Sequence, residues 1–170
     1  MTGGRSRVVV AIRVGVAPGR AFDVFTRDIA LWWVHNDLFR FTPKEPGALA
    51  FVPPAGDKDG GAEEAGRLIE RRADGRIFEI GAVRVWEPGA RLVVGWRQAT
   101  FGPDHDTEVE VRFEPVGPAG EETRVTVEHR GWDSVPQAHV ARHGFPLNVF
   151  MQHQAAQWRA GLNRLQALTS

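Results

Sequence analysis

Apolar residues recur at every second position from the start of the chain. Val8, Val10, Ile12 and Val14 interleave with Val9, Ala11, Arg13 and Gly15, a β-branched pattern that predicts a first strand. Pro18 then suits the first turn of a helix, where a missing N–H costs nothing, and Ala21, Phe22, Phe25 and Ile29 fall on one helical face. Two short helices are expected here. Leu31, Trp32 and Trp33 run on into an irregular stretch, 35–41, that includes Phe39 and Phe41; large aromatics without a steady period read as a rim or lid.

Six further strands are predicted over 48–52, 66–72, 76–86, 91–98, 107–114 and 123–130. Ala73-Asp74-Gly75 and Glu87-Pro88-Gly89 are tight hairpin connections between them, whereas 53–65 and 116–122 are Gly-rich loops. Parity is explicit in two strands. Val109, Val111 and Phe113 alternate with Glu108, Glu110, Arg112 and Glu114, and Val125, Val127 and His129 share a face opposite Arg124, Thr126, Glu128 and Arg130. His129 therefore points inward. On 91–98, Leu92, Val94 and Trp96 form the inner set. Leu147, Met151, Ala155, Trp158, Leu162 and Leu165 then recur at intervals of three or four, predicting a helix over 147–168 that is roughly 33 Å long at 1.5 Å per residue. The order of elements predicts an α+β domain: a curved antiparallel sheet wrapped around a long C-terminal helix, with two short helices after the first strand.

Length and composition agree with a single domain. The chain has 170 residues, 42% of them hydrophobic and 25% charged, so residues 8–170 are read as one globular unit and 1–7 as a disordered tail. The 21 basic residues balance 21 acidic ones, leaving no field to attract nucleic acid or an anionic membrane. That balance is also compatible with a homodimer. The absence of cysteine excludes disulfides, thiolate metal sites and a Cys nucleophile. The apolar stretch 8–12 is too short for a signal-peptide core, and a cytoplasmic location is the default.

Several segments together carry a family resemblance: Val16-Ala17-Pro18-Gly19-Arg20-Ala21-Phe22, then Trp32-Trp33, then the run from Pro88 to Trp96, the last strand 123–129 and the stretch Trp158 to Leu168. In this order and spacing the chain resembles the helix-grip fold of the START and Bet v 1-like (SRPBCC) superfamily, in the branch similar to the C-terminal domain of the activator of Hsp90 ATPase. The resemblance implies a cavity between the concave sheet and the long helix, used in many relatives for apolar small molecules. Independently, six tryptophans and ten phenylalanines supply rigid apolar surface of the kind that lines such sites.

Trp33, Trp96, Phe113, Phe150 and Trp158 are the expected wall residues, with Trp132 and Phe145 closing one end and Phe39 and Phe41 flanking the other. Each of these rings is equally suited to filling a core. His129 would orient a ligand carbonyl or hydroxyl, or act as a general base; its alternative is a buried histidine satisfied by a neighbour. Gln154 would add an amide donor to the pocket; its alternative, favoured for a helical Gln, is a partly exposed side chain. His139 and His143 share a face if helical, but with no third ligand they are read as solvated, and neither a metal nor a cofactor is expected. Arg97, Arg112, Arg124 and Arg130 are read as solvated on the outer faces. No nucleophile elbow surrounds Ser134, and the Gly-rich stretch 56–66 lacks a Walker lysine.

Three functions follow in order. The first is binding of an apolar small molecule for sequestration or carriage. The second is a cyclase, isomerase or hydrolase with His129 as acid or base, although no pair of catalytic groups is recognisable and tyrosine is absent. The third is an Hsp90 co-chaperone-like interaction module, ranked last because the chain lacks room for a separate N-terminal domain.

Overall fold

A computed structural model describes residues 6–43, 45–55 and 65–170. Its elements are β1 (Arg7–Val14), α1 (Pro18–Arg27), α2 (Ile29–Trp32), β2 (Ala48–Val52), β3 (Arg67–Arg71), β4 (Ile77–Glu87), β5 (Arg91–Gly95), β6 (Glu108–Val116), β7 (Glu122–Arg130) and α3 (Leu147–Leu168). Two 3₁₀ turns, Trp132–Ser134 and Val140–Arg142, fill the connection between β7 and α3. The seven strands form one antiparallel sheet in the order β1-β7-β6-β5-β4-β3-β2. Register shifts between β3 and β4 and between β4 and β5 bend the sheet, since each extra residue adds local twist. The sheet curls as a half-barrel around α3, which is the expected helix-grip architecture.

Alternation dictates which side chains enter the curl. Val109, Val111 and Phe113 on β6 and Val125, Val127 and His129 on β7 are all buried, as parity requires. Pro18 stands in the first turn of α1, and Ala21, Phe22 and Phe25 on its inner face are buried. Asp28 breaks the helix, and α2 returns the chain so that the buried Trp32 indole donates to the Phe25 carbonyl at 3.0 Å. Against this corner α3 comes so close that a Cβ on Gly161 would lie 3.1 Å from the Trp32 ring.

Four expectations need correction. The first strand starts at Arg7 rather than Val8, and Ser6 just before it is buried, its hydroxyl bonding Asp133 and its carbonyl accepting from Gly131; residues 1–5 of the expected tail lie outside the described residues. The buried face of α3 is Phe150, Gln154, Gln157, Trp158, Gly161, Leu162 and Leu165, rotated from the expected stripe, with Met151 and Ala155 only partly buried. Gln157 tolerates this because its amide donates to the Val34 carbonyl. Third, β5 ends at Gly95, although Trp96 and Arg97 still bond Thr107 and Ile80 through their backbone. Finally, Arg97 is not solvated. Its guanidinium donates to the carbonyls of His105 (2.7 Å) and Gly102 (3.1 Å) and so folds the turn that follows β5. The Gly-rich stretch lies, apart from Ala65 and Gly66, outside the described residues.

On the convex face Arg130 is the hub of an ion network. It reaches Glu108, Glu110 (3.0 Å) and Glu128 (2.8 Å), while Arg84 holds Glu108 and both Arg91 (2.6 Å) and Arg112 (3.3 Å) hold Glu110. Arg124 is exposed. Among the described residues no helix is long and apolar enough to cross a membrane.

Candidate functional site

The interior is organised around His129. It is fully buried, flanked in register by Val8 on β1 and Val109 on β6. An indole N–H can only donate, so the 3.1 Å contact from Trp158 Nε1 makes His129 Nδ1 an acceptor and leaves the ring proton on Nε2. Nε2 faces the Thr107 hydroxyl at 3.2 Å, and that hydroxyl donates onward to the Trp96 carbonyl. Every polar atom of this relay is used. Burial in an apolar shell, with the Arg130 charge adding to it, pushes the imidazole pKa down to about 3, so the ring is neutral. A proton reaches or leaves His129 only when one of these bonds breaks.

The residues selected from the sequence fall into two aromatic groups that meet at His129. In the larger, Trp33, Trp96 and Trp158 contact one another with ring centroids 5.3–5.5 Å apart, and Phe41 lies against Trp33 (5.8 Å) and Trp96 (5.5 Å). Phe113 belongs to the same core but packs against Phe22 and Phe25 beneath α1, not against these tryptophans. The smaller group joins Phe39 to Phe150 (5.5 Å) and Phe150 to Trp132 (4.7 Å), with half-buried Phe145 at its edge stacked on His153. His129 touches Trp96 and Trp158 on one side and Trp132 on the other. Gln154 is buried on α3 between Phe150 and Trp158, and its Oε1, like Trp132 Nε1, has no hydrogen-bond partner. Much of the space between sheet and helix is thus occupied by rings packed on rings.

Open volume is found where the grip ends. A pocket of about 210 Å³ lies between the 37–43 segment, the turn after β5 and the 3₁₀ turn at 140–142. Leu38, Phe41, Pro43, Val140 and Ala141 give it apolar walls, Gln98 and Thr42 are its buried polar residues, and Asp37, Arg40, Thr100 and His143 complete it. A smaller hollow of about 60 Å³ shares Phe41 and Asp37 and reaches Phe39 and Glu70. The walls are sewn together across the mouth. Ala99 N–H donates to the Phe41 carbonyl (2.7 Å), His143 Nε2 to the Leu38 carbonyl (2.6 Å) and His139 Nε2 to the Thr100 carbonyl (2.9 Å). His143 is exposed and His139 partly so, as expected, but they flank a 3₁₀ turn as loop ties instead of sharing a helical face. Among the described residues no cluster of three or more His, Asp or Glu is placed to hold a metal.

Of the sequence-selected residues only Phe41 lines the larger pocket; Phe39 lines the smaller one. Leu38, Gln98, Val140 and Ala141 were missed. For Gln98 a signal existed, because it continues the inward set Leu92, Val94, Trp96 by one more period of two.

The model of activator of Hsp90 ATPase homolog 1-like proteins matches residues 16–168. The chain belongs to this family. Solved structures similar to it include MLL2253 from Mesorhizobium loti (TM-score 0.60, 18% identity, 95% of both chains covered) and a START superfamily protein from Mycobacterium smegmatis (TM-score 0.59, 15% identity, 96% of both covered). Protein CV1439 from Chromobacterium violaceum is similar over 96% of this chain and 97% of its own, with 16% identity and a TM-score of 0.54. No curated protein matches. As an activator of Hsp90 ATPase homolog 1-like protein with a START-type grip, the chain has a fold suited in general to holding a ligand in a cavity. In this family member two cavities lie at the mouth, and the tryptophan cluster forms the wall behind Phe41.

Proposed function

We propose that this protein binds a small apolar molecule at the open end of its grip. The observation that carries the reading is the pocket of about 210 Å³ with five apolar residues in its walls, backed by the Phe41–Trp96–Trp33 rings. Rigid aromatic surface beside an apolar hollow favours a flat guest, because burial removes apolar area from water at roughly 25 cal/mol per Å². Val140 supports the same site: it stands 63% exposed at the mouth, an apolar side chain that a guest would cover.

Native mass spectrometry of the protein taken from its own host is expected to show a bound neutral organic molecule. Val140→Glu, which places a charge at the mouth without touching the core, is expected to weaken that binding at least about five-fold, the loss of roughly 1 kcal/mol of apolar contact. A ligand bound equally well by the variant would remove the mouth pocket as its site.

A further inference from the structure

Gln98 is the buried polar side chain in the mouth pocket that the fold leaves unused among the described residues. It is only 8% exposed, it lines the pocket, and its side-chain amide makes no hydrogen bond to the described protein. The other nine-tenths-buried polar residue there, Thr42, spends its hydroxyl proton on Glu70 at 2.6 Å. At the rim Asp37 and Arg40 neutralise each other at 2.6 Å, and His143 Nε2 is already spent on the Leu38 carbonyl. An apolar wall with one free amide at its inner edge selects for a neutral molecule that has its own polar edge.

We infer that the pocket takes a single-ring, uncharged compound presenting a hydrogen-bond donor and acceptor side by side, as in a carboxamide, a lactam or a hydroxyl next to a carbonyl, read by the Gln98 amide. This deepens the proposed function and rests on it. The primary amide of glutamine carries a carbonyl acceptor and an N–H donor in one plane, and only a partner with the complementary pair satisfies both at once. A ligand that lacks the pair leaves the buried amide stripped of water and unpaired, which is why such sites discriminate strongly. Size agrees. A cavity of about 150 Å³ already accommodates benzene, so about 210 Å³ admits one ring with a carboxamide-sized substituent.

Nuclear magnetic resonance titrations with benzamide, methyl benzoate and ethylbenzene test this, reading the backbone signals of Leu38 and Ala141 and the side-chain amide of Gln98. Benzamide is expected to bind the parent about ten-fold tighter than methyl benzoate, which still accepts from the Gln98 N–H but leaves the buried Gln98 carbonyl without its donor, and to shift the Gln98 side-chain signal. In Gln98→Met that preference should disappear while ethylbenzene binds at least as well as before; Gln98→Leu, a second apolar replacement, should behave alike, with thermal melts confirming both folds. Equal binding of all three probes to parent and variants overturns the role of Gln98 but leaves apolar binding standing. Failure of all three to shift Leu38 or Ala141 in the parent overturns the pocket itself.

Discussion

His129 couples the stability of the molecule to pH. Its folded pKa of about 3 lies below the ordinary histidine value of 6.5, so the unfolded chain takes up a proton that the folded chain refuses. The stabilisation is complete above about pH 6.5 and is lost progressively as pH falls toward 3, approaching about 1.4 kcal/mol per pH unit. Between pH 7 and pH 5 urea denaturation of the parent should therefore lose about 2 kcal/mol that His129→Gln does not lose; parallel pH profiles would show that burial is not holding the ring neutral. Gly131 is constrained by geometry instead. It sits at φ 101° where β7 turns into the Trp132 turn, and a Cβ there would be 2.4 Å from the Asp106 carbonyl. Gly131→Ala is expected to cost at least about 2 kcal/mol, a drop in Tm of about 4–8 °C by calorimetry.

At the scale of elements, the convex face of β5, β6 and β7 is held by charge where the concave face is held by apolar contact. Burial would raise the Glu110 carboxyl, but the hydrogen bonds from Arg91 and Arg130 prevail and keep it below the usual range; for Glu108, Arg84 and Arg130 do the same. Carboxyls lowered in this way stabilise the fold above about pH 4.5 and lose that contribution as pH falls through the folded value. Replacing Arg130 with Met removes the hub and is expected to cost on the order of 2 kcal/mol at pH 7, since Glu110 is only 5% exposed and would retain two of its three cations. The deficit should shrink at pH 3, where the carboxyls of the unfolded chain are protonated. A loss independent of pH would instead point to the packing of the Arg130 stem. The helix shows where pattern alone falls short: Trp158, Leu162 and Leu165 are buried as their spacing requires, yet Gln154 and Gln157 are buried too. Gln157 goes inside because the Val34 carbonyl, far away in sequence, offers its amide a partner, whereas Gln154 is carried in by the helix face with its Oε1 unpaired.

For the whole molecule, the division between what was legible and what was not follows the range of the interactions. Alternation in β6 and β7 decided which residues face inward, His129 among them, because side chains in a pleated strand have no other choice than two faces. Tight turns such as Ala73-Asp74-Gly75 decided that the strands run antiparallel, and the 22-residue helix had to cross the resulting sheet. Whether aromatic rings would enclose space or fill it was not decided by composition. Trp33, Trp96 and Trp158 lie on three separate elements or segments, and only their convergence to 5.3–5.5 Å shows that they pack on one another. The mouth pocket is equally nonlocal, drawn from positions near 40, 98 and 140 and closed by bonds between them. The chain's own pattern of apolar residues thus settled the elements and the faces they bury, through steric rules that act within a few residues. Where a hollow remains, and which polar groups inside it stay unpaired, was decided by close packing between distant segments, in which the last ångström of fit depends on every neighbour at once.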